Sequence, residues 1–147
     1  MKLHQVSVFL ENKPGQLAGP CRALADAGID ILTLSLADTQ QFGILRLLVQ
    51  DWQKAHSVLQ SAGCVVNVTE VLALDVPDKP GGLAYVLDIL ETAKVGIEYM
   101  YAFTANARGE HAAIIFRFED NDLAIDALKQ KGIPILGPVE LFARLLR

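Results

Sequence analysis

The sequence predicts an α+β fold built from two βαββαβ units in tandem. Three observations carry that prediction. The stretch ENKPGQLAG at residues 11–19 returns as PDKPGGLAY at residues 77–85. Around both copies the apolar spacing changes from a period of two to a helical period at corresponding places. The correspondence also extends over most of the chain, which marks an internal repeat and not a pair of unrelated turns.

With Pro14 set on Pro80, an offset of 66 residues, Val6, Val8 and Leu10 fall on Leu72, Leu74 and Val76. Leu17 then falls on Leu83 and Leu24 on Leu90. Two extra residues are placed near Lys94 and Val95, so that Gly28-Ile29-Asp30 aligns with Gly96-Ile97-Glu98. One more enters before Asp51, which aligns with Asp120; Ala55, Leu59 and Gly63 then align with Ala124, Leu128 and Gly132. The units cover residues 1–68 and 69–136, followed by a short C-terminal helix over 137–147.

Taken in order, Val6, Val8 and Leu10 alternate with polar positions and read as a half-buried strand. The Pro-Gly turn leads to a helix carrying Leu17, Cys21, Leu24 and Ala27 on one face, with Pro20 near its first turn and Gly28 ending it. A strand from Ile29 to Leu36 follows, then the turn ADTQQFG and a second hairpin arm, ILRLLVQD. Trp52, Ala55, Val58, Leu59 and Ala62 recur at helical spacing, and CVVNV supplies a closing strand. The second unit repeats this through ALDV, LAYVLDILETA, GIEYMYAF, AAIIFRFED, LAIDALKQKG and IPIL. The order is ferredoxin-like, an antiparallel sheet with both helices on one face. Val139, Phe142, Leu145 and Leu146 suggest a terminal amphipathic helix that docks back on the protein.

Composition narrows the function. The chain has 147 residues, is 52% hydrophobic and has a net charge of −4. That acidic balance provides no basic footprint for nucleic acid. The apolar runs are too short to cross a bilayer, and MKLHQVSVFLEN is a poor secretory signal. Cys21 and Cys64 lack metal-type spacing and read as free thiols in a reducing cytoplasm. His4, His56 and His111 fall in different elements, so neither metal nor cofactor is expected. So much apolar surface on a small chain implies association with further copies.

The residues at the first turn say more. FLEN, then KPGQL, then a helix leading into AGIDI, resembles the ACT domain, a small regulatory module that binds amino acids. VPDKPGGL with VGIEY resembles it again, and the likeness spans residues 3 to about 136. The resemblance implies two units side by side, ligand lying where the Pro-Gly turn of one meets the second strand of the other. It would place Glu11, Asn12, Pro14, Gly15, Gln16 and Leu17 with Glu98 and Tyr99 around one ligand. The mirror site would use Asp78, Pro80, Gly81, Gly82 and Leu83 with Asp30 and Ile31. The implied partners are a small amino acid or related carboxylic acid, a second copy of the chain, and a regulated enzyme.

The residue types suit such a ligand. Backbone N–H groups at a helix start can hold a carboxylate, and glycine at 15, 81 and 82 permits close approach. Asp30 or Glu98 could accept from an ammonium, although the start of an exposed strand explains both equally well. Asp78 replaces Asn12 in the second copy, so the two sites should not bind equally, and the Gly15 turn is the stronger candidate.

Other readings stay open. An interaction module with a vestigial site would show the same repeat. The stripe Ile97, Tyr99, Tyr101 and Phe103 invites comparison with RNA-binding sheets, but the third strands lack the required Gly-aromatic pattern, and the stripe reads better as a sheet face that meets another sheet across a dimer interface. An acyl-phosphate hydrolase would need an arginine in the first loop, and Arg22 falls a full turn into the helix. Lys13 and Lys79 have no accompanying base or nucleophile, so no catalytic site is expected.

Overall fold

A computed structural model describes residues 1–103 and 110–145. The elements are β1 (Leu3–Glu11), α1 (Ala18–Asp26), β2 (Thr33–Thr39), β3 (Phe42–Leu48), α2 (Trp52–Ser61) and β4 (Val65–Pro77). They continue with α3 (Gly82–Thr92), β5 (Ile97–Phe103), β6 (His111–Phe118), α4 (Asn121–Gln130), β7 (Ile135–Leu136) and α5 (Pro138–Leu145). Residues 4–69 form one compact unit, and residues 1–3 with 70–147 form the other. None of the described helices is long and apolar enough to cross a membrane.

In the first unit β3 lies between β1 and β2, antiparallel to both, and β4 runs beside β1. Val6, Val8 and Leu10 point to one face with Leu45 and Leu47, where Leu24 of α1 and Ala55 and Leu59 of α2 close the core. Both helices therefore cover the same side of the sheet, as the alternation of β1 requires. Pro20 is the third residue of α1, where its missing N–H costs no helical hydrogen bond. Trp52 packs against the core and stacks on His4, ring centroids 4.4 Å apart. Two expectations shift. Leu17 precedes the helix and is 41% exposed. β2 begins at Thr33, not Ile29, because Ile29 N–H still bonds back to Leu24 O in closing the helix.

The second unit uses the same logic. β6 lies between β4 and β5, and β7 pairs with β4. Leu72, Leu74, Val76, Ile114 and Phe116 meet Val86 and Leu90 of α3 and Ala124 and Leu128 of α4. The expected separate strands CVVNV and ALDV are one strand, β4, of thirteen residues, since the intervening Thr69, Glu70, Val71 and Leu72 include no glycine or proline to break it. α5 lies on the other face of this unit's sheet. Asp75 alternates with Leu74 and Val76 and so points away from α3 and α4, and Arg144 of α5 grips it with bonds of 2.9 and 3.4 Å. The docking residue of α5 is Leu141, fully buried, whereas Val139 is 83% exposed. Leu146 lies outside the described residues.

Register gives the relation between the repeats. Val8 opposes Leu45 as Leu74 opposes Ile114, and Ala37 opposes Ile44 as Phe103 opposes Ala113. The offset is thus 66 residues through β5 and 69 from β6 onward, so all three extra residues enter between Phe103 and His111. The helix ends agree: Ile29 N–H bonds Leu24 O as Val95 N–H bonds Leu90 O. Gly28-Ile29-Asp30 therefore corresponds to Lys94-Val95-Gly96, not to Gly96-Ile97-Glu98. The sequence alignment was drawn there by glycine, but Lys94 itself takes the left-handed conformation (φ 58°) that Gly28 takes at 71°.

Equivalent caps start the second helix of each unit. Asp51 accepts from Lys54 N–H and Asp120 from Leu123 N–H, both at 3.0 Å. Replacing either aspartate by alanine should cost about 1 kcal/mol in urea denaturation, with equal effects at the two sites. The glycines of the Pro-Gly turns differ more. A Cβ on Gly82 would collide with the carbonyl of Pro77, whereas nothing lies within 4 Å of one on Gly15. Gly82→Ala should therefore lower stability by about 1–3 kcal/mol through overpacking, measured by thermal unfolding.

Candidate functional site

The first Pro-Gly turn is anchored at its start. Asn12 N–H donates to Gln41 O at 3.0 Å, tying the end of β1 to the β2–β3 turn. Lys13 N–H returns to Glu11 O, and Gly15 adopts φ 88°, a conformation open to glycine and costly for other residues. The chain then enters α1 through Leu17, which offers no side-chain cap, so the first N–H groups of α1 lack that partner. The Asn12 side chain is committed elsewhere: its Nδ2 donates to Asp38 Oδ1 at 3.0 Å and Gln40 O at 3.3 Å. Its role in the fold is to pin the hairpin turn. Glu11 pairs with Lys13 at 2.9 Å on the surface.

Beside this turn is a cleft of about 510 Å³, lined entirely by residues of the first unit. Phe9, Leu10 and Glu11 of β1 form one wall, and Phe42 at the start of β3 adds to it. Gly15, Gln16, Gly19 and Pro20 form the turn side. The α2–β4 connection, Ala62, Gly63, Cys64 and Val65, closes the remainder. Of the predicted residues the structure brings Glu11, Gly15 and Gln16 to this cleft. Asn12, Pro14 and Leu17 belong to the same turn without lining it. Burial pushes the Cys64 thiol above its usual pKa, which keeps it protonated and a weak nucleophile near neutrality.

The second turn repeats the backbone. Asp78 N–H donates to Glu110 O at 3.0 Å, Lys79 N–H to Pro77 O, and Gly81 has φ 88° like Gly15. Here Gly82 N–H bonds to Lys79 O and α3 begins at once, so the second glycine of KPGGL is required by the nearby Pro77 carbonyl. Side chains differ at the positions equivalent to the cleft. Gly19 becomes Tyr85, Phe9 becomes Asp75, Phe42 becomes His111 and Ala62 becomes Lys131. Asp75 is held by Arg144 and lies 3.6 Å from His111 Nδ1. The hydrogen bond to Asp75 also raises the Arg144 pKa. Tyr85 instead lines a groove of about 460 Å³ between α3 and α4, with Asp88, Ile89 and Ala127. Pro80 and Leu83 flank the turn, Leu83 packing on the core.

The remaining predicted residues lie on other elements. Asp30 and Ile31 precede β2 in irregular chain, and Asp30 is exposed. Glu98 and Tyr99 lie on β5, where Arg117 Nε donates to Glu98 at 3.1 Å. The corrected register makes Asp30 the counterpart of Gly96, so the two acids do not occupy equivalent places. Besides Phe9, Leu10, Pro20 and Phe42, sequence reasoning missed Gly19 and the α2–β4 connection. The repeat held a signal for the first, glycine in one copy against tyrosine in the other; the second needed the fold.

Known proteins agree with this architecture. The ACT domain pair family matches residues 1–139. The crystal structure of protein BT0572 from Bacteroides thetaiotaomicron is 38% identical with a TM-score of 0.89, covering 97% of this chain and 96% of that one. The regulatory subunit of aspartate kinase from Thermus thermophilus, solved free of ligand, shares the fold at 17% identity and a TM-score of 0.62. It covers 88% of this chain and 92% of that one. None of the curated proteins matches the chain. With one family spanning both repeats and a 38% identical structure spanning nearly the whole length, the chain belongs to the ACT domain pair family.

Proposed function

We propose that the protein is a non-catalytic regulatory module that binds a free amino acid at the Pro-Gly turn of its first unit. The observation that carries this reading is the cleft beside Gly15. Its volume of about 510 Å³ falls within the roughly 300–1,000 Å³ range of small-molecule sites. Backbone N–H groups at the start of α1 suit a carboxylate, Glu11 suits an ammonium, and apolar side chains supply the rest of the lining. Of the ligand contacts that the ACT resemblance implied, Asn12 is held by Asp38, Glu98 by Arg117 and Glu11 by Lys13; the Glu11–Lys13 pair is a surface one that a ligand ammonium can replace at little cost.

The second turn supports a different use. Tyr85 stands where Gly19 does, and Asp75 anchors α5 through Arg144. We therefore assign one amino-acid site to the first unit and a structural role to the equivalent positions of the second. A regulated enzyme is the proposed downstream partner, and the free thiols Cys21 and Cys64 support a reducing, cytoplasmic setting.

Self-association belongs to the same proposal. Leu34 and Leu36 of β2 are 50% and 53% exposed although they share a face with the buried Leu45 and Leu47. Among the described strands β2 pairs only with β3, so it presents an apolar outer strand.

Two measurements test the proposal. A thermal-shift screen of the twenty amino acids should find a ligand that raises the melting temperature by several degrees at about 100 times its Kd, a stabilisation of roughly 2.7 kcal/mol. Gly19→Tyr should fold and lose that shift, because it fills the cleft without the left-handed strain that any change at Gly15 carries. A normal shift in folded Gly19→Tyr would place the site elsewhere. Light scattering should report at least twice the 16.0 kDa chain mass, and Leu36→Glu should lower it; a monomer at micromolar concentration would remove the association.

A further inference from the structure

We infer that the cleft of the first unit selects amino acids with apolar side chains and turns away acidic ones, an inference that rests on reading the cleft as the amino-acid site. Its lining is chemically one-sided. Among the described residues that line it Glu11 alone is charged, and its carboxylate already holds the surface Lys13 ammonium at 2.9 Å. Phe9, Leu10, Pro20, Phe42 and Val65 are apolar residues of the same lining. A ligand whose ammonium meets Glu11 would have its side chain over that apolar lining. An aspartate or glutamate ligand would instead carry a second carboxylate over the apolar lining, where the neighbouring cation, Lys13, is already paired with Glu11, which penalises the ionised form.

Side-chain size adds discrimination. Each methylene removed from water contributes on the order of fourfold in affinity, so leucine should exceed alanine by roughly tenfold or more. The glycines at positions 15 and 19 leave this space open, since a Cβ at either would meet nothing within 4 Å. The second unit has no such apolar lining, because the counterparts of Phe9 and Phe42 are Asp75 and His111.

Cys64 makes the inference measurable, since its thiol lines the cleft and its alkylation reports occupancy. The experiment uses the full chain with Cys21→Ser, follows iodoacetamide labelling of Cys64 at alkaline pH by mass spectrometry, and titrates single amino acids. Leucine, isoleucine, valine, methionine or phenylalanine should slow labelling tenfold or more at saturation, while aspartate and glutamate leave it unchanged. Protection by aspartate or glutamate at equal or lower concentration overturns the selectivity and leaves the amino-acid site standing. If no amino acid slows labelling or raises the melting temperature, the site reading falls and the selectivity with it. In Glu11→Gln the ratio of leucine to glutamate affinity should fall by roughly tenfold; an unchanged ratio overturns the exclusion by Glu11.

Discussion

Each unit depends on one corner, where the first strand stops and the first helix begins. The strand must reverse within a few residues, and the reversal is fixed at two points. A glycine takes φ 88°, which side-chain-bearing residues adopt only at a cost, and a backbone N–H binds the carbonyl of the neighbouring hairpin turn. Asn12 with Gln41 and Asp78 with Glu110 make that second tie in the two units. With the corner fixed, the helix is directed across the sheet at the height where Leu24 or Leu90 reaches the core. The Lys-Pro-Gly repeat is thus first a structural requirement. Proline restricts the approach and glycine permits the turn whether or not a ligand is present.

The same corner accounts for where a site can form. A chain that turns through glycine leaves little side-chain bulk above its own backbone. In the first unit that economy continues through Gly19 and Ala62, and a cleft results. In the second unit Tyr85 and Lys131 occupy the matching positions, and Gly82 lets α3 begin directly after the corner. Backbones that agree to the level of individual hydrogen bonds therefore enclose different volumes. The difference is set by four or five side chains and not by the fold.

Much of this was legible before any coordinates. Alternation in β1, the helical spacing of Ala55 and Leu59, and the aspartates that cap α2 and α4 each have a local physical cause, so sequence revealed them. The misreadings have causes as well. Lys94 closes α3 in a left-handed conformation usually given to glycine, so the alignment slid toward Gly96 and paired Asp30 with Glu98. β4 continued where two strands were expected because a repeat boundary needs no break in the backbone. Val139 was assigned inward on helical spacing alone, while the geometry of α5 is governed by Leu141 and by the Arg144–Asp75 pair, 69 residues apart in sequence.

The candidate site was only half legible, and the missing half shows what a repeat can and cannot reveal. Glu11, Gly15 and Gln16 lie within one turn, so local pattern identified them. Ala62 through Val65 reach the cleft only because α2 runs antiparallel to α1 and ends beside the corner, a consequence of topology that no spacing rule encodes. Comparing the copies nevertheless contains the decisive contrast. Where a duplicated backbone keeps glycine in one unit and places tyrosine in the other, the first has left space and the second has filled it. Asp75 strengthens the point, since a largely buried carboxylate must be paired, and Arg144 supplies that pairing from α5. Once that position binds the C-terminal helix, a ligand there would have to displace an ion pair; Phe9, without charge, takes no part in such a pair.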